Sequence, residues 1–335
     1  MRLILMLVVL LAAGAGAPAQ RIPDTETVGI GIIGLDTGHS VSFTELINDP
    51  DAEGLFDRYE VVAAYPYGSR TIELSFDRIP ENTTRIQQLG VEIVDSIADL
   101  LDRVDVVMLE TNDGNIHLEQ ALQVIESGKP LFIDKPLAAS LEDVLAIFAA
   151  AEDAGIPIFS SSSLRFMKSA QEIRNGSIGE VQGAFAFSPA MLEPTHTDLY
   201  WYGIHGVETL FTVLGTGCES VVRVHTDGAD VVTGTWTDGR IGTFHGMRDG
   251  SHGYGGTAFG GEKIAEIGPY EGYRPLVESI LKFFDSDVAP VAPEETIEIY
   301  AFMAAADESK QLGGVPVRLA DVLDRARARM NGAEP

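Results

Sequence analysis

The stretch "VGIGIIGLDTGHS", Val28–Ser40, decides the fold. Its first six residues are apolar apart from two glycines, the pattern of a short strand buried on both faces. The chain then passes through Gly34-Leu35-Asp36-Thr37-Gly38-His39 into Phe43, Leu46 and Ile47, which keep helical spacing. A strand, a glycine-marked turn and a helix start form an anion cradle, because the first N–H groups of the helix point out of it. The literal G-x-G-x-x-G match, Gly29, Gly31 and Gly34, is misplaced for that task, since two of its glycines fall inside the strand. Counted from Gly34, the fingerprint needs glycine at 36 and 39; the chain has Asp36 and His39, with Gly38 one place early. Two readings stay open. Either Asp36 or Thr37 caps the helix and the loop still takes a pyrophosphate, or a carboxylate beside the phosphates marks a lost site.

Outward from this loop the same alternation continues. Further strands are predicted over Glu60–Tyr65, Val91–Val94, Val104–Leu109, Leu131–Ile133 and Ile156–Ser160. Between the last two, Leu141, Val144, Leu145 and Phe148 mark a helix behind a Ser140/Asp143 capping box, stopped by Gly155. Strand and helix in alternation predict a Rossmann-type, doubly wound parallel sheet over residues 24–163. After Leu164 the chain turns rich in Gly, Thr and aromatics. Strands over Gly179–Phe187 and Glu219–Thr226, and a hairpin "VVTGTWTDGRIGTFHG" with a type I′ turn at Asp238-Gly239, predict an open, mostly antiparallel sheet over residues 164–330. Two helices accompany it, Gly203–Leu214 and one near Thr296–Gln311, and "DGSHGYGGTAFGGEK" reads as a glycine-rich loop or lid. The fold class is therefore α/β followed by α+β.

Residues 1–19 read as a secretory signal: Arg2, an apolar run Leu3–Ala13, and Ala17-Pro18-Ala19 as a small-x-small cleavage site. The run is shorter than the roughly 20 residues a membrane span needs. An exported product, periplasmic or extracellular and without a membrane span after signal removal, is expected. The lone Cys218 leaves it no internal disulfide. Lys+Arg 23 against Asp+Glu 50, a net charge of -27, excludes a nucleic-acid or anionic-membrane partner.

The second strand ends in "AAYPYGSR" with no acid to hold a ribose 2′-hydroxyl; Ser69 and Arg70 are instead candidates for a 2′-phosphate. Lys135 follows the fifth strand, where ligands collect in such sheets, and a lysine there steadies a substrate oxygen and exchanges a proton with it. On a helical wheel Trp201, His205, Glu208 and Thr212 oppose the apolar face of Ile204, Val207, Leu210, Phe211 and Leu214. Glu208, three residues on, is expected to orient and charge the His205 imidazole. Trp201, Tyr202, Trp236 and Tyr254 are either core or apolar walls for a ring-shaped ligand. His196, His225, His245 and His252 share no ligand spacing, so no metal site is predicted.

"MLETNDGNIHLEQAL" and "GKPLFIDKPLAAS", taken with the opening loop, resemble the Gfo/Idh/MocA oxidoreductase family. Thr111, Asn112 and His117 match its turn after the fourth strand. Asp134, Lys135 and Pro136 match its Glu-Lys-Pro turn, with Asp for Glu, and Arg165-Phe166 resembles its entry to the second domain. Gly203 and His205 match its Asp-x-Gly-x-His-x-x-Asp helix; Trp201 stands in for the first Asp and Glu208 for the last. The resemblance implies NAD or NADP bound by Gly34, Asp36, Thr37, Gly38, His39, Ser69, Arg70, Thr111, Asn112, His117, Asp134, Lys135, Pro136 and Arg165. It also implies catalysis by Lys135, His205 and Glu208, a sugar, cyclitol or related polyol as substrate, and a homo-oligomer packed through the open sheet. Ser69 and Arg70 tilt the cofactor toward NADP. Two other readings fit the same residues: an exported carbohydrate- or nucleotide-binding protein that has lost redox function, and a redox-assisted glycosidase or epimerase that keeps the cofactor.

Overall fold

The computed structural model describes residues 27–330 and 332, so the leader predicted at residues 1–19 lies outside the described residues. The first sheet has six strands: β1 (Val28–Ile33), β2 (Tyr59–Tyr65), β3 (Glu92–Ile93), β4 (Val106–Leu109), β5 (Leu131–Ile133) and β6 (Ile158–Ser160). All neighbours are parallel, in the order β3-β2-β1-β4-β5-β6. Strand order reverses between β1 and β4, and the crevice at that switch point opens above the loop after β1. The glycines of the misplaced motif serve packing. A Cβ on Gly31 would come within 2.5 Å of Leu100, which sits on the helix Ile97–Leu101 crossing that face. Gly34 takes φ +94, and a Cβ there would meet the backbone of Thr111 at 2.5 Å. The β1 and β4 turns touch only because residue 34 has no side chain. Behind the sheet, Ser140 Oγ accepts from Asp143 N–H to start the helix Leu141–Ala154, and left-handed Gly155 ends it.

The second sheet has seven strands: β7 (Val181–Pro189), β8 (Cys218–Thr226), β9 (Ala229–Trp236), β10 (Ile241–Met247), β11 (Gly255–Gly260), β12 (Ile264–Ile267) and β13 (Val317–Arg318). Their order is β12-β11-β7-β10-β9-β8-β13, antiparallel except for the β7–β10 pair. The helices Ile204–Leu214 and Pro293–Gln311 cover one face; among the described residues the other is open.

Four expectations need correction. The residues read as a glycine-rich lid contain β11, whose glycines let it lie against β7: a Cβ on Gly256 would come within 2.2 Å of Phe185 O. The β9–β10 connection is not a type I′ turn, since Gly239 alone is left-handed (φ +89) and Trp236 N–H donates to Arg240 C=O across a three-residue loop. The predicted polar face of the Ile204–Leu214 helix is buried like the rest of it, and Trp201 belongs to a separate short helix, Asp198–Trp201. The boundary at residue 163 does not separate the cores. The helix Arg274–Ser286 returns from the second sheet and packs Leu276, Val277, Ile280, Leu281, Phe283 and Phe284 beside Phe43, Phe56, Tyr59 and Phe159 of the first domain. Tyr59 Oη donates to Leu281 C=O (3.1 Å), which fixes the register of the contact.

Candidate active site

A cavity of about 260 Å³ opens at the carboxyl ends of the parallel strands. Its floor is the start of the helix Gly38–Ile47, with Thr37, Gly38 and His39 exposed to it. Asn112 and Lys135 enter from the turns after β4 and β5. Across from them stand Trp201, Tyr202 and His205, then Tyr254, Tyr270 and Tyr273. Leu74 and Arg78, from the segment after β2, line the remaining edge.

The helix start shows which residue caps it. Thr37 is the N-cap, its hydroxyl accepting from His39 N–H. Asp36 turns away from the cavity and is fully buried. Its carboxylate accepts from Ser69 N–H (2.7 Å) and Asn112 N–H (3.0 Å), tying the turns after β1, β2 and β4 together. A Cβ on Gly68 would strike the carboxylate at 2.2 Å, so a glycine is required there. Burial raises the Asp36 pKa against the pull of those two N–H donors. Gly38 faces open space, which leaves the helix N-terminus free to receive an anion.

Below the floor lies a group of ionisable side chains. His39 Nδ1 is 2.7 Å from Asp134 Oδ2, and Lys135 Nζ is 4.0 Å from the same oxygen. Burial pushes the Asp134 carboxyl up, but His39 and Lys135 outweigh it and hold the pKa below the ordinary value. Glu110, at the end of β4, is 0 % exposed, and burial together with the charge of Asp134 raises its pKa well above the usual range. Glu110 is one residue that sequence reasoning missed. A carboxylate ending the buried run "VVML" was its signal.

His205 is 6 % exposed, with Nδ1 2.6 Å from Ser162 Oγ. Burial first, then the nearby charge of Lys135, pulls its pKa well below 6.5, so it is a neutral imidazole at neutral pH. The expectation that Glu208 charges it fails. Glu208 accepts from Ser161 Oγ (2.5 Å), Ser162 N–H (2.7 Å) and Arg165 Nε (2.6 Å). Glu208 thus acts on His205 only through the backbone of Ser162.

Arg165, expected to hold cofactor, is 2 % exposed and donates to Glu208 and Glu295 (2.7 Å) inside the protein. Ser69 turns inward as well, its hydroxyl donating to Asp113 Oδ2 (2.8 Å), while Arg70 is exposed and does not line the cavity. His117 is buried between the carbonyls of Thr111 (2.6 Å) and Leu137 (3.1 Å), where it braces the β4 and β5 turns, and burial lowers its pKa. Thr111 and Pro136 are buried beside it. Of the expected set, Thr37, Gly38, His39, Asn112, Lys135 and His205 meet at the cavity. Trp201, Tyr202 and Tyr254 are walls, and Trp236 is core. Arg78, Tyr270 and Tyr273 were not foreseen, because the segments that carry them have no local pattern pointing to the cleft.

A family model described as an oxidoreductase family with an NAD-binding Rossmann fold, Gfo/Idh/MocA, matches residues 28–161. A 1,5-anhydro-D-fructose reductase of Ensifer adhaerens is 34% identical over 95 residues, 27% of this chain and 28% of that protein. An inositol 2-dehydrogenase of Saccharopolyspora erythraea is 41% identical over 63 residues, 18% of this chain and 19% of its own length. The matched segment thus spans less than a third of either relative. The fold extends much further. The crystal structure of a myo-inositol 2-dehydrogenase from Lactobacillus plantarum superposes with a TM-score of 0.71 at 16% identity, over 88% of this chain and 99% of the other. The two-domain architecture is shared along nearly its whole length, and the Gfo/Idh/MocA oxidoreductase family model lies over the first domain, residues 28–161.

Proposed function

We propose that the protein is an NAD(P)-dependent oxidoreductase acting on a sugar, cyclitol or related polyol. The observation that carries the reading is the cavity itself. One wall is a helix N-terminus open at Gly38, and Lys135 and His205 both enter the same space. The residues fit a dinucleotide: Thr37, Gly38 and Asn112 would hold its phosphates, and Asp36 is withdrawn from their path. Arg78, at the cavity edge, replaces Ser69 and Arg70 as the cation for a further phosphate, and it is what now supports the tilt toward NADP. Bound NAD(P) supplies the acceptor or donor of a hydride. Lys135 then steadies the substrate oxygen through its ammonium. His205, neutral and held at Nδ1 by Ser162, exchanges the proton that this oxygen loses or gains. Tyr202, Tyr254, Tyr270 and Tyr273 offer ring faces to a polyol and keep water off the reacting carbon. The reductase and inositol dehydrogenase among the relatives support that substrate class. Export is part of the proposal, resting on the sequence of residues 1–19.

The decisive experiment denatures natively purified protein and looks for released NAD(P) by absorbance and mass. Protein that releases none is titrated with NAD and NADP in turn. Failure to bind either at millimolar concentration overturns the reading in favour of a binding protein. Lys135→Ala is expected to cut kcat by about 10²–10⁴-fold with the dinucleotide still bound; undiminished turnover removes Lys135 from the mechanism.

A further inference from the structure

His39, Glu110 and Asp134 come from the turns after β1, β4 and β5, and one ligand atom from each lies within 4.8 Å of the others. Acidic clusters are common, but two features set this one apart. Glu110 is completely buried, and neither Oε1 nor Oε2 has a hydrogen-bond partner among the described residues. Asp134 Oδ1, equally buried, has none either, although Oδ2 faces His39. Three buried carboxylate oxygens of this cluster thus have no hydrogen-bond partner among the described residues. A buried polar atom left unmatched costs about 1–3 kcal/mol, so three together are rarely kept without a ligand.

Protonating Glu110 removes its charge but not the problem. A carboxylic acid carries an O–H that needs its own acceptor, and neither Glu110 oxygen stands at hydrogen-bond distance from one. Lys135 does not fill the gap, because its ammonium stands 4.0 Å from Asp134 on the side already bonded to His39. A single cation among the three side chains gives both buried carboxylates a partner.

We propose that His39, Glu110 and Asp134 bind one divalent cation of the manganese-to-zinc series. One imidazole nitrogen with two carboxylates suits those ions better than calcium or magnesium, which prefer all-oxygen shells. Three protein ligands leave coordination positions free, as in sites where a metal handles substrate. His39 and Lys135 both border the cavity, so the free positions face it. The ligand they would take is an oxygen anion or hydroxyl of the molecule bound there.

The test uses the full chain, stripped with EDTA and free of dinucleotide, so that its outcome is independent of the oxidoreductase reading. Calorimetric titration with Zn²⁺ and with Mn²⁺ is expected to show one site per chain at micromolar affinity or tighter for at least one of them. Glu110→Gln and Asp134→Asn are each expected to weaken it on the order of 100-fold. The melting temperature of each variant in EDTA confirms that it folds. With Mn²⁺ bound, pulsed EPR is expected to report an imidazole nitrogen that His39→Ala removes. Absence of stoichiometric binding of either ion overturns the proposal. Affinity unchanged in both folded carboxylate variants overturns it too, by placing the ion elsewhere.

Discussion

Asp36 shows how a residue that breaks a motif can still serve the fold. In a glycine-loop fingerprint it stands where the backbone should approach a phosphate, and a carboxylate there would repel one. The structure spends that carboxylate on Ser69 N–H and Asn112 N–H, 33 and 76 residues away in sequence. Removing the acceptor would strand one buried and one half-buried donor, so Asp36→Ala is expected to destabilise the protein by about 2 kcal/mol. Asp36→Asn, which keeps one acceptor oxygen, should lose less. Urea denaturation of the three proteins measures this; an alanine variant as stable as the parent would mean that the bridge is dispensable. The identity of residue 36 was legible in the sequence, and so was the choice it posed. Its outcome was not, because both partners are backbone groups that only the β2 and β4 turns bring within reach. Ser69 failed as a phosphate ligand for the same reason, its hydroxyl being drawn inward by Asp113.

The helix Ile204–Leu214 carries the corresponding lesson for elements. Its helical period and its His205/Glu208 pair were plain in the sequence, yet periodicity cannot say that the polar side will also be buried. Buried, Glu208 pairs with Arg165, and the pair is joined by Glu295 from the helix Pro293–Gln311. This ion group joins three segments of the second domain and leaves His205 to Ser162. Glu208→Gln is therefore expected to cost about 3 kcal/mol or more of stability, the usual penalty for unpairing a buried ion. The acidic limb of the kcat/KM profile should hardly move, and the limb itself is expected below pH 6.5, since burial and Lys135 depress the His205 pKa. The sign for stability follows from the same shift. The unfolded chain takes up a proton near pH 6.5 that folded His205 refuses, so stability falls as pH drops below that value. A limb displaced by Glu208→Gln would restore the direct Glu208–His205 relay. Strands β1 and β5 matched their predicted limits because a short, wholly apolar run is a local signal. β11 escaped because its glycines answer to β7 and not to their own neighbours.

At the scale of the whole molecule, the helix Arg274–Ser286 locks the two domains together by completing the core of the first, an arrangement invisible to any reading that divides the chain in sequence order. The second sheet presents the opposite case, a surface that nothing among the described residues covers. Register brings Val224 opposite Val231, Val231 opposite His245, and His245 opposite Phe187, so one row of the open face runs across four strands. Val224, Ile241, Phe259 and Ile264 are 63%, 53%, 44% and 66% exposed along it or at its margins. An apolar face of this extent is suited to a second copy of itself, and its two-fold pairing would need no further element. Against it stands the charge of -27 carried by each full chain, which opposes association most at low ionic strength. A dimer formed through this face should therefore tighten as salt is raised, the reverse of an interface held by ion pairs. Val224→Glu and Ile241→Glu, each placing like charges across the two-fold, are expected to shift the protein to monomer while leaving its melting temperature nearly unchanged. Light scattering across a salt series decides the matter: a parent chain that stays monomeric at concentrations on the order of 100 μM in high salt leaves the open face without a partner copy.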